Sequence, residues 1–132
     1  MRDIEFRIRH RDNEWFYGVP LTQIRNGTVG FKSFDNSYYD LFADAETLGQ
    51  FTGLSDKSGV KIYEGDIVKM LNIDEYPMQI KWSEKWARFI FYNLVDKKDM
   101  NLFTEQCEVI GNIYDNPELI KRRASNGRGE EQ

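Results

Sequence analysis

The sequence predicts a mainly β protein: a small, strongly curved sheet or barrel, SH3-like or similar, with a strand-rich N-terminal part and a short C-terminal helix. Three observations carry this. Short runs in which apolar and polar residues alternate recur along the chain, clearest at 4–8 and 78–82. Tight glycine-bearing bends separate some of them, at 55–59 and 64–66, a spacing that suits a sharply bent sheet. Hydrophobic residues make up 40% and aromatic residues 14% of 132 positions, enough for a buried core and too many for a disordered chain.

The elements follow in order. Ile4, Phe6 and Ile8 alternate with Glu5, Arg7 and Arg9, the period of a half-buried antiparallel strand. RDNE at 11–14 is a polar turn, and WFYGVPL at 15–21 a short second strand that Gly18 and Pro20 cut off or place at a sheet edge. Asn26-Gly27 is a two-residue hairpin signal. Residues 35–50 leave two readings open: extended chain, or a short helix capped by Asp44 and ended by Gly49.

QFTGL at 50–54 is extended, and SDKSG at 55–59 is a turn. There Asp56 can accept backbone amides and Gly59 can take positive φ. VKIY at 60–63 returns as a strand with Val60 and Ile62 on one face. Gly65 bends the chain again before IVKML at 67–71. NIDEYP at 72–77 reads as a loop. MQIKW at 78–82 reads as a strand that turns inward Met78, Ile80 and Trp82. SEKWA is a turn, RFIFYNLV at 88–95 a strand, DKKDMN at 96–101 a charged turn, and CEVIGNIY at 107–114 the last strand. Asn116 and Pro117 are suited to the N-cap and first position of a helix, and Lys121, Arg122 and Arg123 to its end. The tail from Ala124 has no apolar anchor and is expected to be disordered. Three segments result: N-terminal strands with a possible short helix at 1–50, a barrel-like domain at 51–117, and a helix with tail at 118–132.

Composition restricts the function. The formal charge of −4 gives no global attraction to phosphate backbones or anionic membranes. No run approaches a membrane span, the first ten residues are no secretion signal, and Cys107 stands alone, so the expected location is inside the cell, in a reducing compartment.

FTGLSDKSGVKIYEGDIV at 51–68 and EVIGNIYDNPEL at 108–119 resemble the two signatures of the YopX family, and the opening MRDIEFRIR resembles its usual start. The resemblance implies a small protein of phages and prophages, mostly in Gram-positive bacteria. It carries no assigned biochemical function and no catalytic residue, and it suggests homo-oligomers.

No catalytic, metal or cofactor site is expected. His10 lies between two arginines as a solvated turn residue, and no nucleophile motif surrounds a serine. Glu64, Asp66, Asp74 and Glu75 do not fall at calcium-loop spacing; Asp66 is expected to cap a bend and Glu64 to stay exposed. No phosphate-binding glycine pattern occurs. A hydrolase or nuclease built on Glu64, Asp66 or Asp115 is the third-ranked reading.

The candidate surface lies in KWSEKWARFIFY at 81–92, where Lys81, Lys85 and Arg88 interleave with Trp82, Trp86, Phe89, Phe91 and Tyr92. Alternation assigns Trp82, Phe89 and Phe91 to the core. Trp86, in the turn, has no inward role, so Lys85, Trp86 and Arg88 form the candidate partner surface. The expected function is a non-enzymatic phage or prophage accessory protein that binds a host or phage protein. The alternative is a nucleic-acid-binding module of phage replication or regulation, using the same hairpin.

Overall fold

The computed structural model describes residues 4–10, 12–21, 28–34, 38–70, 74–94, 96–100 and 106–120. Their strands are antiparallel throughout the pairings described below and fall into two sheets. The chain divides into two compact units, Met1–Gly53 and Leu54–Gln132.

The first unit holds β1 (Phe6–His10), β2 (Trp15–Pro20), β3 (Thr28–Ser33) and most of β4 (Tyr38–Ser55). Its pairing runs β1–β2–β3–β4, and β4 pairs with β1 as well. The early part of β4 pairs with β3, Thr28 opposite Phe42 through Lys32 opposite Tyr38. Its later part pairs with β1, His10 opposite Ala43 through Phe6 opposite Gln50, with a register shift between Arg7 and Arg9. At that shift the Thr47 hydroxyl accepts the Arg9 N–H at 2.9 Å, a side chain replacing a ladder carbonyl.

Residues 38–50 are therefore extended, and the helix from Asp44 to Gly49 does not form. Local signals favoured neither state. Two partner strands supply backbone hydrogen bonds to the extended form, and the β-branched Thr47 is buried.

β1 corrects a second expectation. Ile8 is fully buried and Glu5 and Arg7 are buried too, while Ile4, just ahead of the strand, is exposed. The charges that alternation turns to solvent at 5 and 7 are therefore covered. The Arg7 guanidinium lies 4.6 Å from the Trp15 ring centre. β2 is interior rather than an edge: Gly18 pairs with Phe6 on one side and Ser33 on the other. A Cβ at Gly18 would collide with the Lys32 carbonyl, so this glycine permits close strand approach instead of ending the strand. The Asn26-Gly27 turn lies outside the described residues.

The second unit begins inside β4 and contains β5 (Lys61–Tyr63), β6 (Asp66–Met70), β7 (Asp74–Ser83), β8 (Arg88–Asn93), β9 (Lys98–Met100) and β10 (Cys107–Asn112). Its main sheet has the order β10-β6-β7-β8-β9. The barrel expected of this segment is thus an open curved sheet with β10 and β9 at its ends. Ile62, Val68, Met70, Met78, Ile80, Phe91 and Cys107 form its core.

Three local expectations change here. Asp74–Pro77 open β7 instead of forming a loop, Lys98–Met100 form β9 instead of a turn, and Val60 is exposed while Ile62 is buried. In the first two cases neighbouring strands supply hydrogen bonds that the local composition does not announce. Residues 117–120 are helical, starting at Pro117 as predicted. The run 121–123 and the tail lie outside the described residues.

Candidate functional site: the tip of the β7–β8 hairpin

β7 and β8 pair from Met78 opposite Asn93 to Ser83 opposite Arg88. Glu84, Lys85, Trp86 and Ala87 form the loop between them, and Ala87 takes φ 52°. A four-residue hairpin loop needs such a left-handed residue to return the chain. The Trp86 N–H donates to the Ser83 hydroxyl at 3.1 Å and tightens the turn.

Strand pairing sorts the side chains. Ile80 and Phe91 face each other across the pair and are buried. Trp82 and Phe89 are the next pair on that face, yet Trp82 is 45% exposed. Alternation places Trp82 on the inward face correctly, but the hairpin outruns its core. Trp82 instead meets Phe89 edge to face, with ring centres 5.1 Å apart. Sequence reasoning missed Trp82 as a surface residue because period-two patterning reports the face of a strand, not where the core ends.

The predicted trio is brought together. Trp86 is 54% exposed, with the Lys85 ammonium 5.1 Å and the Arg88 guanidinium 5.7 Å from its ring centre. On the strand face turned away from Trp82 and Phe89, which Arg88 shares, the Lys81 ammonium lies 4.3 Å over Tyr92, its diagonal neighbour across the pair. The tip therefore combines open indole surface with three cations held on rings, and it can bind by apolar contact and charge together.

The other candidates have structural roles. Asp56 is buried at the turn of 55–59; its Oδ1 accepts the N–H groups of Ser58 and Val60 at 2.8 and 2.9 Å. Its Oδ2 accepts the Val109 N–H at 3.0 Å. Burial pushes its acidity down, but the backbone donors outweigh burial and hold its pKa below the ordinary value. Asp66, also buried, accepts the Tyr63 N–H at 2.8 Å and caps the bend at Gly65, as predicted. Glu64 is half-buried rather than exposed. Asp115 accepts from the Asn112 carboxamide at 3.2 Å.

His10 is the half-buried last residue of β1, not a solvated turn residue. Its Nδ1 accepts the Asp12 N–H at 3.1 Å and its ring sits edge-on to Phe16. Cys107 is buried in the core of the second unit, where burial and the nearby Asp56 charge push its pKa up to about 11. Among the described residues no group of three His, Cys, Asp or Glu side chains could hold a metal ion.

A family model described as "YopX protein" matches residues 5–121. The crystal structure of protein EF1440 from Enterococcus faecalis matches with a TM-score of 0.61 at 24% identity. The match covers 91% of this chain and 99% of that one, and it shows a shared fold. No curated protein matches the sequence.

Proposed function

This chain belongs to the YopX family, and we propose that it is a non-enzymatic accessory protein of a phage or prophage. It acts in the host cytoplasm by binding a protein of the phage or the host through the tip of the β7–β8 hairpin. One observation carries this reading: Trp86 and Trp82 are exposed together at one hairpin end, with Lys85 and Arg88 against the Trp86 ring. Tryptophan and arginine are the residue types that concentrate binding energy at protein interfaces. A nucleobase stacking on Trp86 would need a free ring face near two cations that already approach it, and the formal charge of −4 opposes long-range attraction of a polyanion. Of the carboxylates on which a hydrolase could be built, Asp66 accepts the Tyr63 backbone N–H and Asp115 the Asn112 carboxamide.

The test compares the wild type with Trp86→Ala as baits in extract from phage-infected cells, alongside labelled single- and double-stranded DNA and RNA. A protein retained by the wild type and lost by the variant supports the proposal. A protein retained equally by both places the surface elsewhere. Nucleic-acid binding that Trp86→Ala abolishes and added salt weakens steeply replaces the proposal with the nucleic-acid reading.

A further inference from the structure

We infer that the tip takes an acidic protein segment, with carboxylates flanking an apolar anchor. The inference rests on the reading of the tip as a protein-binding surface and names the chemistry of its partner. Between residues 79 and 92 there are three cations, Lys81, Lys85 and Arg88, against the carboxylate of Glu84, and β9 adds Asp99 opposite Tyr92. The hairpin and this neighbour still carry more cations than carboxylates, on a chain whose formal charge is −4.

How those cations are held matters more than their number. The Lys81 ammonium lies on Tyr92 and that of Lys85 on Trp86, and among the described residues neither meets a carboxylate. A ring attracts the charge of an ammonium without consuming its N–H donors. Both lysines are exposed. They are oriented by aromatic contact, with their hydrogen-bonding capacity directed to whatever arrives.

The rings supply the second half of the recognition. Trp86 presents indole surface beside Lys85 and Arg88, and the Trp82–Phe89 pair opens on one face of the same hairpin. An apolar side chain against Trp86 would bring neighbouring carboxylates within reach of the Lys85 ammonium. A neutral peptide would leave that ammonium with water, and a basic one would be repelled.

The experiment is a selection from a random peptide library displayed on phage. The bait is the full-length protein, and Trp86→Ala is used for counter-selection after circular dichroism shows that the variant folds. Peptides that discriminate the two proteins should be enriched in Asp and Glu around an apolar residue. Made synthetically, they should bind about two- to fivefold more weakly to Lys85→Ala and to Lys81→Ala. Raising the salt from about 50 to about 500 mM should shrink that difference. Discriminating peptides that are neutral or basic, or indifferent to both lysine substitutions, overturn the acidic partner and leave the protein-binding tip standing. A selection that yields no peptide discriminating the two proteins overturns both.

Discussion

The Asp56 carboxylate accepts the Val109 backbone N–H at 3.0 Å, joining residues 53 positions apart. The neighbouring Lys57 N–H donates to the Cys107 carbonyl at 3.0 Å. Together these bonds occupy groups of β10, which stands at one end of its sheet. An end strand presents unpaired backbone groups that invite another chain. Here a turn and its carboxylate take a donor and an acceptor that would otherwise be open, while Oδ1 of the same carboxylate closes the turn on Ser58 and Val60.

Replacing Asp56 should therefore destabilise the second unit strongly. Asp56→Ala removes the acceptor of three backbone N–H groups, and we expect a loss of about 2–4 kcal/mol in urea denaturation. Asp56→Asn can keep Oδ1 for Ser58 and Val60 but turns an NH₂ toward the Val109 N–H, so it should lie between Ala and wild type. A loss below about 1 kcal/mol for Asp56→Ala would show that the turn is held by its backbone alone.

The same carboxylate sets an acid dependence. Its folded pKa is lowered below the ordinary value, against burial and by backbone donors led by Val109. A depressed folded value means that its stabilisation is present above the unfolded pKa, near 4, and is lost as pH falls through the folded one. The stability difference between wild type and Asp56→Asn should thus be constant from about pH 7 to 5 and shrink below about pH 4. Denaturation midpoints at these pH values check it.

Cys107 should behave in the opposite sense. With its pKa raised to about 11, the thiol stays neutral in the folded protein. Its stabilising contribution is complete below the ordinary value, about 9, and is lost as pH rises toward the folded one. At a given pH below both values, the folded protein holds roughly 100-fold less thiolate than the unfolded chain. Labelling with Ellman's reagent at about pH 8 should be slow when folded and fast in denaturant. Equal rates would contradict the burial.

Two glycines should tolerate alanine unequally. A Cβ at Gly111 would come within 2.5 Å of the Asn116 Oδ1, which accepts the Asn112 N–H. Gly111→Ala should displace that side chain and cost about 1–2 kcal/mol. Gly18→Ala drives its methyl into the Lys32 backbone carbonyl, which cannot rotate away. It should cost about 3 kcal/mol or more, or prevent the first unit from folding. Thermal melts of the two variants would rank them.

The tip should be separable from the fold. Trp86 is more than half exposed and its contacts are cations above the ring. Trp86→Ala should change stability by less than about 1 kcal/mol. Trp82→Ala also loses the edge-to-face contact with Phe89 and should cost about 0.5–1.5 kcal/mol. A variant that unfolds would place these rings in the core.

Turn chemistry and strand period were legible in the sequence because both are local. Gly65 at φ 95° and Gly59 at φ 88°, the acceptor role of Asp56, the Asp66 cap and Pro117 opening a helix each follow from what one side chain can do within a few residues. The mainly β class follows from the same periodicity, and the grouping of Lys85, Trp86 and Arg88 from their place in and beside one tight loop.

Tertiary structure decided what depends on partners distant in sequence. Residues 38–50 became strand because β3 and β1 hydrogen-bond to them. Glu5 and Arg7 were buried although alternation turned them to the polar side of the first strand, and the Arg7 guanidinium lies against the Trp15 ring. Trp82 came to the surface because the hairpin extends past its core. The second carboxylate oxygen of Asp56 found its donor 53 residues away. Periodicity states which side a residue faces; only the packed sheet determines what lies on that side.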